Sequence, residues 1–162
     1  MEIGENVQEG KMAEFLETTY KKFIFKVKVG YLYSKEDFWA DIKGKVATIG
    51  LADFLQKSKG DVAFLETVEP GTPVTKGQEL GKIESIKATF GIISPVSGKV
   101  IKVNSELDVS PHLINSDPYG AGWIYEIELV DPEGNSRELF DAESYMKLMN
   151  EKIEKEAKKL YG

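Results

Sequence analysis

The sequence has no cysteine among its 162 residues, and its single histidine is His112. The lack of cysteine excludes disulfides, thiolate metal sites and a cysteine nucleophile. A Ser-His-Asp triad would have to use His112, yet no Gly-x-Ser-x-Gly elbow marks a nucleophilic serine. A Gly-x-Gly-x-x-Gly dinucleotide fingerprint is also missing. The sequence therefore has none of these catalytic, metal-binding and dinucleotide-binding patterns.

Long apolar runs and a net positive charge are also lacking. No run of apolar residues is long enough to span a bilayer, and the segment from Met1 to Glu5 has neither the basic start nor the apolar stretch of a signal peptide. The net charge of −6 is the wrong sign for binding nucleic-acid phosphates. Together with the lack of cysteine, these features predict a cytoplasmic protein that binds neither nucleic acid nor membrane.

Short apolar stretches are present in the middle of the chain, separated by glycine and proline turns. Candidate strands are Val46 to Gly50, Val62 to Leu65, Leu80 to Ile83 and Phe90 to Ile93. A short helical spacing from Leu51 to Lys57 interrupts them. Short strands at regular intervals predict a mainly β fold, a flattened barrel or sandwich.

Both ends of the chain carry helical patterns. Apolar spacing predicts a helix from Lys11 to Lys22, and alternation then predicts a strand from Phe23 to Tyr31. Near the other end, Asp141 is a candidate N-cap for a helix from Ala142 to Leu160. We therefore divide the chain into an N-terminal helix-strand extension (1–32), a β domain (33–140) and a C-terminal helix (141–162).

The candidate functional residue is Lys87, in the stretch from Glu84 to Thr89. Candidate strands lie on both sides of this stretch, which places Lys87 at the turn of a hairpin. A hairpin tip faces water and makes no contribution to the core, so a lysine there is accessible to a modifying enzyme. This position predicts an attachment point rather than a catalytic residue.

The segment from Tyr33 to about Met149 resembles the H protein of the glycine cleavage system. The stretches that carry the resemblance are Val46 to Gly50, Gly60 to Val62, Glu84 to Thr89, Ser94 to Gly98, Asn115 to Gly120 and Gly122-Trp123. Glu-Ser-x-Lys-Ala followed by Ser-Pro-x-Ser-Gly is the most specific part. Biotin carriers have a similar fold but flank their lysine with methionines, where this sequence has Ile86 and Ala88.

The resemblance implies a lipoyl domain, with lipoic acid joined by an amide to Lys87. It implies a carrier that is not itself an enzyme, because the cofactor supplies the chemistry and the protein supplies position. The implied partners are a lipoylating enzyme, glycine decarboxylase, aminomethyltransferase and dihydrolipoamide dehydrogenase. The residues that we expect the lipoylating enzyme to recognise are Glu84, Ser85, Ile86 and Ala88.

The sequence departs from the family where a polar cleft is expected to receive the loaded arm. The residues predicted to line this cleft are Phe38, Phe54, Phe90 and Gly91. The family typically has a glutamate at the first of these positions and polar residues near the others. A cationic aminomethyl group against apolar walls is costly in free energy.

Three hypotheses stay open at this point. Other acceptors, such as Glu66, Glu69 or Glu84, would preserve the glycine cleavage role. Alternatively, the arm carries a sulfur species, as in H-protein-like lipoate-binding proteins that serve sulfur-oxidising enzymes resembling heterodisulfide reductase. A third hypothesis is an unlipoylated binding or regulatory module with the same fold.

Overall fold

A computed structural model of the chain describes residues 14–161, and side chains as far as residue 157. Its elements are β1 (Phe15–Tyr20), β2 (Phe23–Lys28), β3 (Leu32–Tyr33), β4 (Phe38–Lys43), β5 (Val46–Leu51), α1 (Asp53–Lys59), β6 (Val62–Thr67), β7 (Pro73–Val74), β8 (Glu79–Ser85), β9 (Thr89–Ile93), β10 (Gly98–Val103), α2 (Glu106–Val109), α3 (Leu113–Ser116), β11 (Tyr125–Leu129), α4 (Pro132–Arg137) and α5 (Ala142–Tyr161). The predicted mainly β fold is confirmed.

Two antiparallel sheets form the β domain. The larger has the strand order β3-β4-β5-β11-β10-β7, and the smaller has the order β6-β8-β9. Ile49 and Ile127 from the larger sheet share one buried cluster with Ile83 and Ile92 from the smaller sheet. Alternating apolar residues on facing strands thus bury their side chains between the sheets, as in a sandwich.

Strand β8 is irregular at Gly81, before the hairpin tip that carries Lys87. Its pairing with β9 shifts register between Glu79 and Lys82, and Gly81 has a φ of 101°. A Cβ at this position would lie 2.0 Å from the carbonyl oxygen of Glu66. Only glycine fits, because it tolerates both the positive φ and the close approach of the backbone.

The N-terminal helix predicted from Lys11 to Lys22 is wrong where the structure describes it. Phe15–Tyr20 is a strand, paired antiparallel with Phe23–Lys28. Leu16 and Thr18 are buried while Glu17 is less so, which is the alternation of a strand. Residues 11–13 of the predicted helix lie outside the described residues.

A second buried cluster joins the β1–β2 hairpin to the rest of the fold. It contains Val27 of β2, Trp39 of β4, Phe54 of α1 and Tyr145 of α5, together with Tyr119 of the loop before β11. The rings of Trp39 and Tyr119 lie with centroids 6.3 Å apart. The hairpin is therefore packed on the β domain and the C-terminal helix; the division at residues 32 and 140 stays a prediction.

Polar contacts inside this cluster involve the Tyr119 hydroxyl. It donates to the carbonyl oxygen of Lys26 at 2.6 Å and accepts from the backbone N–H of Asp53 at 3.1 Å. The N–H of Lys26 in turn donates to the Asp53 carboxylate at 2.9 Å. Burial raises the pKa of the Tyr119 hydroxyl, so the hydroxyl stays protonated. These bonds satisfy polar groups that would otherwise be buried without a partner.

Helix α5 begins with the predicted cap. The Asp141 carboxylate accepts the N–H of Ser144 at 2.8 Å, and this bond lowers the pKa of Asp141. We expect Asp141→Ala to reduce the free energy of unfolding by about 1 kcal/mol, as for other N-caps. Denaturant unfolding at neutral pH measures the loss.

The pH dependence of the free energy of unfolding distinguishes the effect of the Asp141 charge from other contributions to stability. The folded pKa lies below the ordinary 3.8, so the charged cap stabilises the fold above that value and loses its effect as pH falls through the folded pKa. Asp141→Asn keeps a capping oxygen without the charge. The stability difference between the wild type and Asp141→Asn should therefore shrink on acidification; a constant difference would contradict this account.

Candidate functional site

Lys87 lies at the tip of the β8–β9 hairpin, as predicted. Glu84 pairs with Thr89 across the hairpin, and the N–H of Ser85 donates to the carbonyl oxygen of Ala88 at 2.8 Å. The Lys87 side chain is exposed. An amine in this position is accessible to a second protein.

The tip is held by the Ser85 side chain, which is only 9% exposed. Its hydroxyl donates to the carbonyl oxygen of Lys59 at 2.6 Å and accepts the N–H of Ala88 at 3.2 Å. The backbone N–H of Ile86 donates to the carbonyl oxygen of Asp61 at 3.0 Å. The turn is therefore fixed against the connection between α1 and β6.

That connection leaves room for the tip because its central residue is Gly60. Gly60 has a φ of 82°, and a Cβ there would lie 3.2 Å from the Ile86 side chain and 3.3 Å from the Lys87 side chain. The Asn115 side chain makes two hydrogen bonds to this connection. It donates to the carbonyl oxygen of Gly60 at 3.1 Å and accepts the N–H of Val62 at 2.9 Å. Sequence reasoning assigned no such role to Asn115, although it stands in a stretch that resembles the family.

The residues predicted to be recognised by a lipoylating enzyme differ in exposure. Glu84 is exposed and Ile86 is 74% exposed, whereas Ala88 is half-buried and Ser85 is buried. A partner would contact Glu84 and Ile86 directly. Ser85 acts instead on the shape of the turn.

Lys87 also borders a pocket of about 180 Å³ between the β1–β2 hairpin, α1 and α5. Its lining residues are Tyr20, Lys21, Phe23, Phe25, Phe54, Lys57, Ser58, Lys87, Ile153, Glu156 and Ala157. Aromatic side chains make up much of this wall. Within the described chain, Glu156 is the one carboxylate that lines the pocket.

Of the residues predicted to line the arm cleft, the structure brings only Phe54 to this pocket with Lys87. Phe38 is 2% exposed in the main core, because it points inward from β4. Phe90 packs against the same core, with the Lys59 ammonium 5.3 Å from its ring. At Gly91, the space for a Cβ is filled by the Glu79 side chain.

The three proposed acceptors lie away from the pocket. Glu66 is on β6, Glu69 follows β6, and Glu84 is on β8; all are exposed, and none lines the pocket. Sequence reasoning missed the hairpin aromatics Tyr20, Phe23 and Phe25. Their alternation on a strand pair was the available signal.

In the part of the chain that the structure describes, no three His, Asp or Glu residues are arranged to hold a metal ion. None of the helices described combines the length and apolar character that a membrane span requires.

A family model described as Glycine cleavage H-protein matches residues 31–152. The chain is 43% identical to a glycine cleavage system H protein of Carboxydothermus hydrogenoformans, over 75% of this chain and 93% of that protein. It is 44% identical to a probable glycine cleavage system H protein of Pyrococcus abyssi, over 77% and 93% respectively.

A solved structure agrees with these matches. The crystal structure of a glycine cleavage system H protein from Mycobacterium marinum superposes with a TM-score of 0.66 at 30% identity, over 74% of this chain and 95% of that chain. The family match begins at residue 31. Strands β1 and β2 therefore precede the matched residues, while Lys87 and its supports lie within them.

Proposed function

The chain belongs to the glycine cleavage H-protein family, and from this premise we propose that it carries lipoic acid as an amide on Lys87 and shuttles an intermediate between partner enzymes. As a member of this family it is a non-catalytic carrier. One observation supports Lys87 as the attachment site. Lys87 is exposed on a turn that hydrogen bonds from Ser85 and Ile86 to residues 59–61 stabilise.

The residues around Lys87 fit such a group. The ammonium is exposed for acylation, and amide formation removes its charge beside a pocket that four aromatic side chains line. When bound, lipoic acid supplies a dithiolane that cycles between disulfide and dithiol. The chain's own residues fix the base of the arm and expose its tip, and the tether raises the concentration of cargo near each partner's active site.

The experiment that tests this proposal has two stages. The full chain is first incubated with a lipoate–protein ligase, lipoate and ATP, and intact mass is measured; we expect an increment of one lipoyl group. The modified protein is then assayed with a glycine decarboxylase for exchange of bicarbonate into glycine. A mass that does not change would favour the unlipoylated module, and exchange at background would contradict the glycine role.

We propose as partners the lipoylating enzyme, glycine decarboxylase, aminomethyltransferase and dihydrolipoamide dehydrogenase. The sulfur-oxidation alternative gains no support from the relatives described above, which carry the glycine cleavage name. The cytoplasmic location stays a prediction from composition.

Ser85→Ala tests how strongly the shape of the turn governs attachment. This change removes the bonds of the Ser85 hydroxyl to Lys59 and Ala88, which together are worth about 1.5 kcal/mol. If the ligase must re-form the turn, lipoylation should slow by roughly tenfold. A time course of intact mass gives the rate. Thr89→Ala, an exposed change on the same hairpin, is the control and should leave the rate unaltered; equal rates in both variants would contradict the role of Ser85.

A further inference from the structure

Residues of the β1–β2 hairpin line the pocket beside Lys87, although the hairpin precedes the residues that match the family. We infer that this pocket is a resting site for the uncharged lipoyl arm and that the hairpin supplies the wall that makes it apolar. The inference rests on the proposed attachment at Lys87. It assigns to the hairpin a function toward the arm that lies outside the matched domain.

The geometry of the aromatic wall supports this assignment. Phe25 of β2 and Phe54 of α1 meet edge to face with ring centroids 5.7 Å apart, and Phe23 stacks beside Phe25 at 6.4 Å. Ile153 of α5 also lines the pocket and is 4% exposed. The hairpin, the short helix and the terminal helix thus converge on one concave apolar surface, as ligand pockets do.

Phe23 is the unusual member of this wall, because 49% of it is exposed. A large aromatic side chain that borders a pocket while half exposed still has apolar surface to bury. Lys87 lines the same pocket, so a chain attached to its amine begins at the pocket wall. The tether makes the arm the occupant with the highest effective concentration.

The charges around the pocket favour a neutral occupant. Amide formation removes the charge of Lys87. Among the residues that the structure describes, the other charged ones that line the pocket are Lys21, Lys57 and Glu156. Lys57 already pairs with the Asp53 carboxylate at 3.0 Å. The methylenes and dithiolane of the arm carry no charge, so they enter the pocket without the desolvation that an ionised group would require.

The test uses the full-length lipoylated protein, with modification confirmed by intact mass. The first measurement is NMR: we expect nuclear Overhauser contacts between arm methylene protons and the ring protons of Phe23 and Phe54. The second is the rate at which a water-soluble phosphine reduces the dithiolane to two thiols, the phosphine taking up oxygen from water. Phe23→Ser should accelerate reduction roughly threefold, if the arm rests in the pocket about two-thirds of the time.

Ile24→Ser is the matched control. Ile24 neighbours Phe23 on β2 and is similarly exposed at 45%, but it does not line the pocket. Reduction in this variant should match the wild type. A lipoylated protein without the contacts, or with equal rates in Phe23→Ser and Ile24→Ser, would overturn the resting site alone. An unmodified mass would overturn the proposed function and this inference with it.

Discussion

Lys87→Arg is expected to abolish lipoylation and, with it, all carrier activity. A guanidinium keeps the positive charge of the side chain, but it is not a nucleophile for amide formation at neutral pH. The surrounding turn should be unchanged, because the Lys87 side chain is exposed and the shape of the turn depends on Ser85. Intact mass after incubation with the ligase measures the loss directly, and glycine–bicarbonate exchange should fall to background.

Lys82→Arg is the matched control for this prediction. Lys82 is an exposed lysine on β8 of the same hairpin, and it lies away from the tip. This variant should gain one lipoyl group at the wild-type rate. A lipoyl increment that persists in Lys87→Arg and disappears in Lys82→Arg would show that Lys82, not Lys87, is the attachment site.

Asp37→Ala is expected to destabilise the fold by about 3 kcal/mol, the scale for breaking a buried ion pair by removing one partner. Asp37 is 6% exposed. Its carboxylate accepts the Tyr145 hydroxyl at 2.8 Å and the Lys152 ammonium at 2.9 Å. Burial, and then the Asp37 charge, raise the pKa of Tyr145. Without Asp37, the Tyr145 hydroxyl loses its acceptor, and the Lys152 ammonium loses its ion pair while it still donates to the carbonyl oxygen of Lys35. Denaturant unfolding measures the cost.

Asp37→Asn separates charge from shape at this position. Asp37 has a φ of 73°, a region that Asn and Asp enter more readily than Ala. Asparagine keeps an acceptor for Tyr145 but loses the ion pair with Lys152, so we expect a loss of about 1.5 kcal/mol. If Asp37→Ala were as stable as the wild type, the carboxylate would not anchor α5.

Asp37 also illustrates what the sequence could and could not predict. In the sequence, Phe38 beside Asp37 departs from the family pattern, and this departure predicts a change in the cleft for the arm. In the structure, Asp37 binds a helix more than a hundred residues away in the chain, and Phe38 belongs to the core. Contacts of this range leave no trace in local spacing.

The strands of the β domain were predictable because alternation and turn residues are local signals. The hairpin at Lys87 followed from the same signals, and its proposed chemistry from the resemblance. The helix predicted for the N-terminal segment is wrong because Phe15, Leu16 and Thr19 have helical spacing, whereas the face that is buried in the structure carries Leu16 and Thr18. The strand is favoured because Leu16 and Val27 pack in the cluster that contains residues of α5. Local propensity alone does not distinguish the strand from a helix.

The arm cleft predicted from family positions stays a prediction. Its residues correspond to positions in the family, and the family match begins at residue 31, so they do not include the aromatic residues of the β1–β2 hairpin. The aromatic residues of the β1–β2 hairpin line the same pocket as Lys87 because β2 packs beside α1. Phe54 was found because it lies on α1 itself, within the matched residues.

The position of the Tyr119 hydroxyl has a consequence for local unfolding. This one oxygen makes hydrogen bonds to the backbone of β2 at Lys26 and to the first residue of α1, Asp53. Helix α1 ends at Lys59, whose carbonyl oxygen accepts the hydrogen bond from Ser85 at the hairpin tip. If the β1–β2 hairpin lifts, polar groups on α1 lose these partners, so we expect the hairpin and α1 to open as one cooperative unit. Exposure of the aromatic pocket and loosening of the support of Lys87 would then share one opening equilibrium.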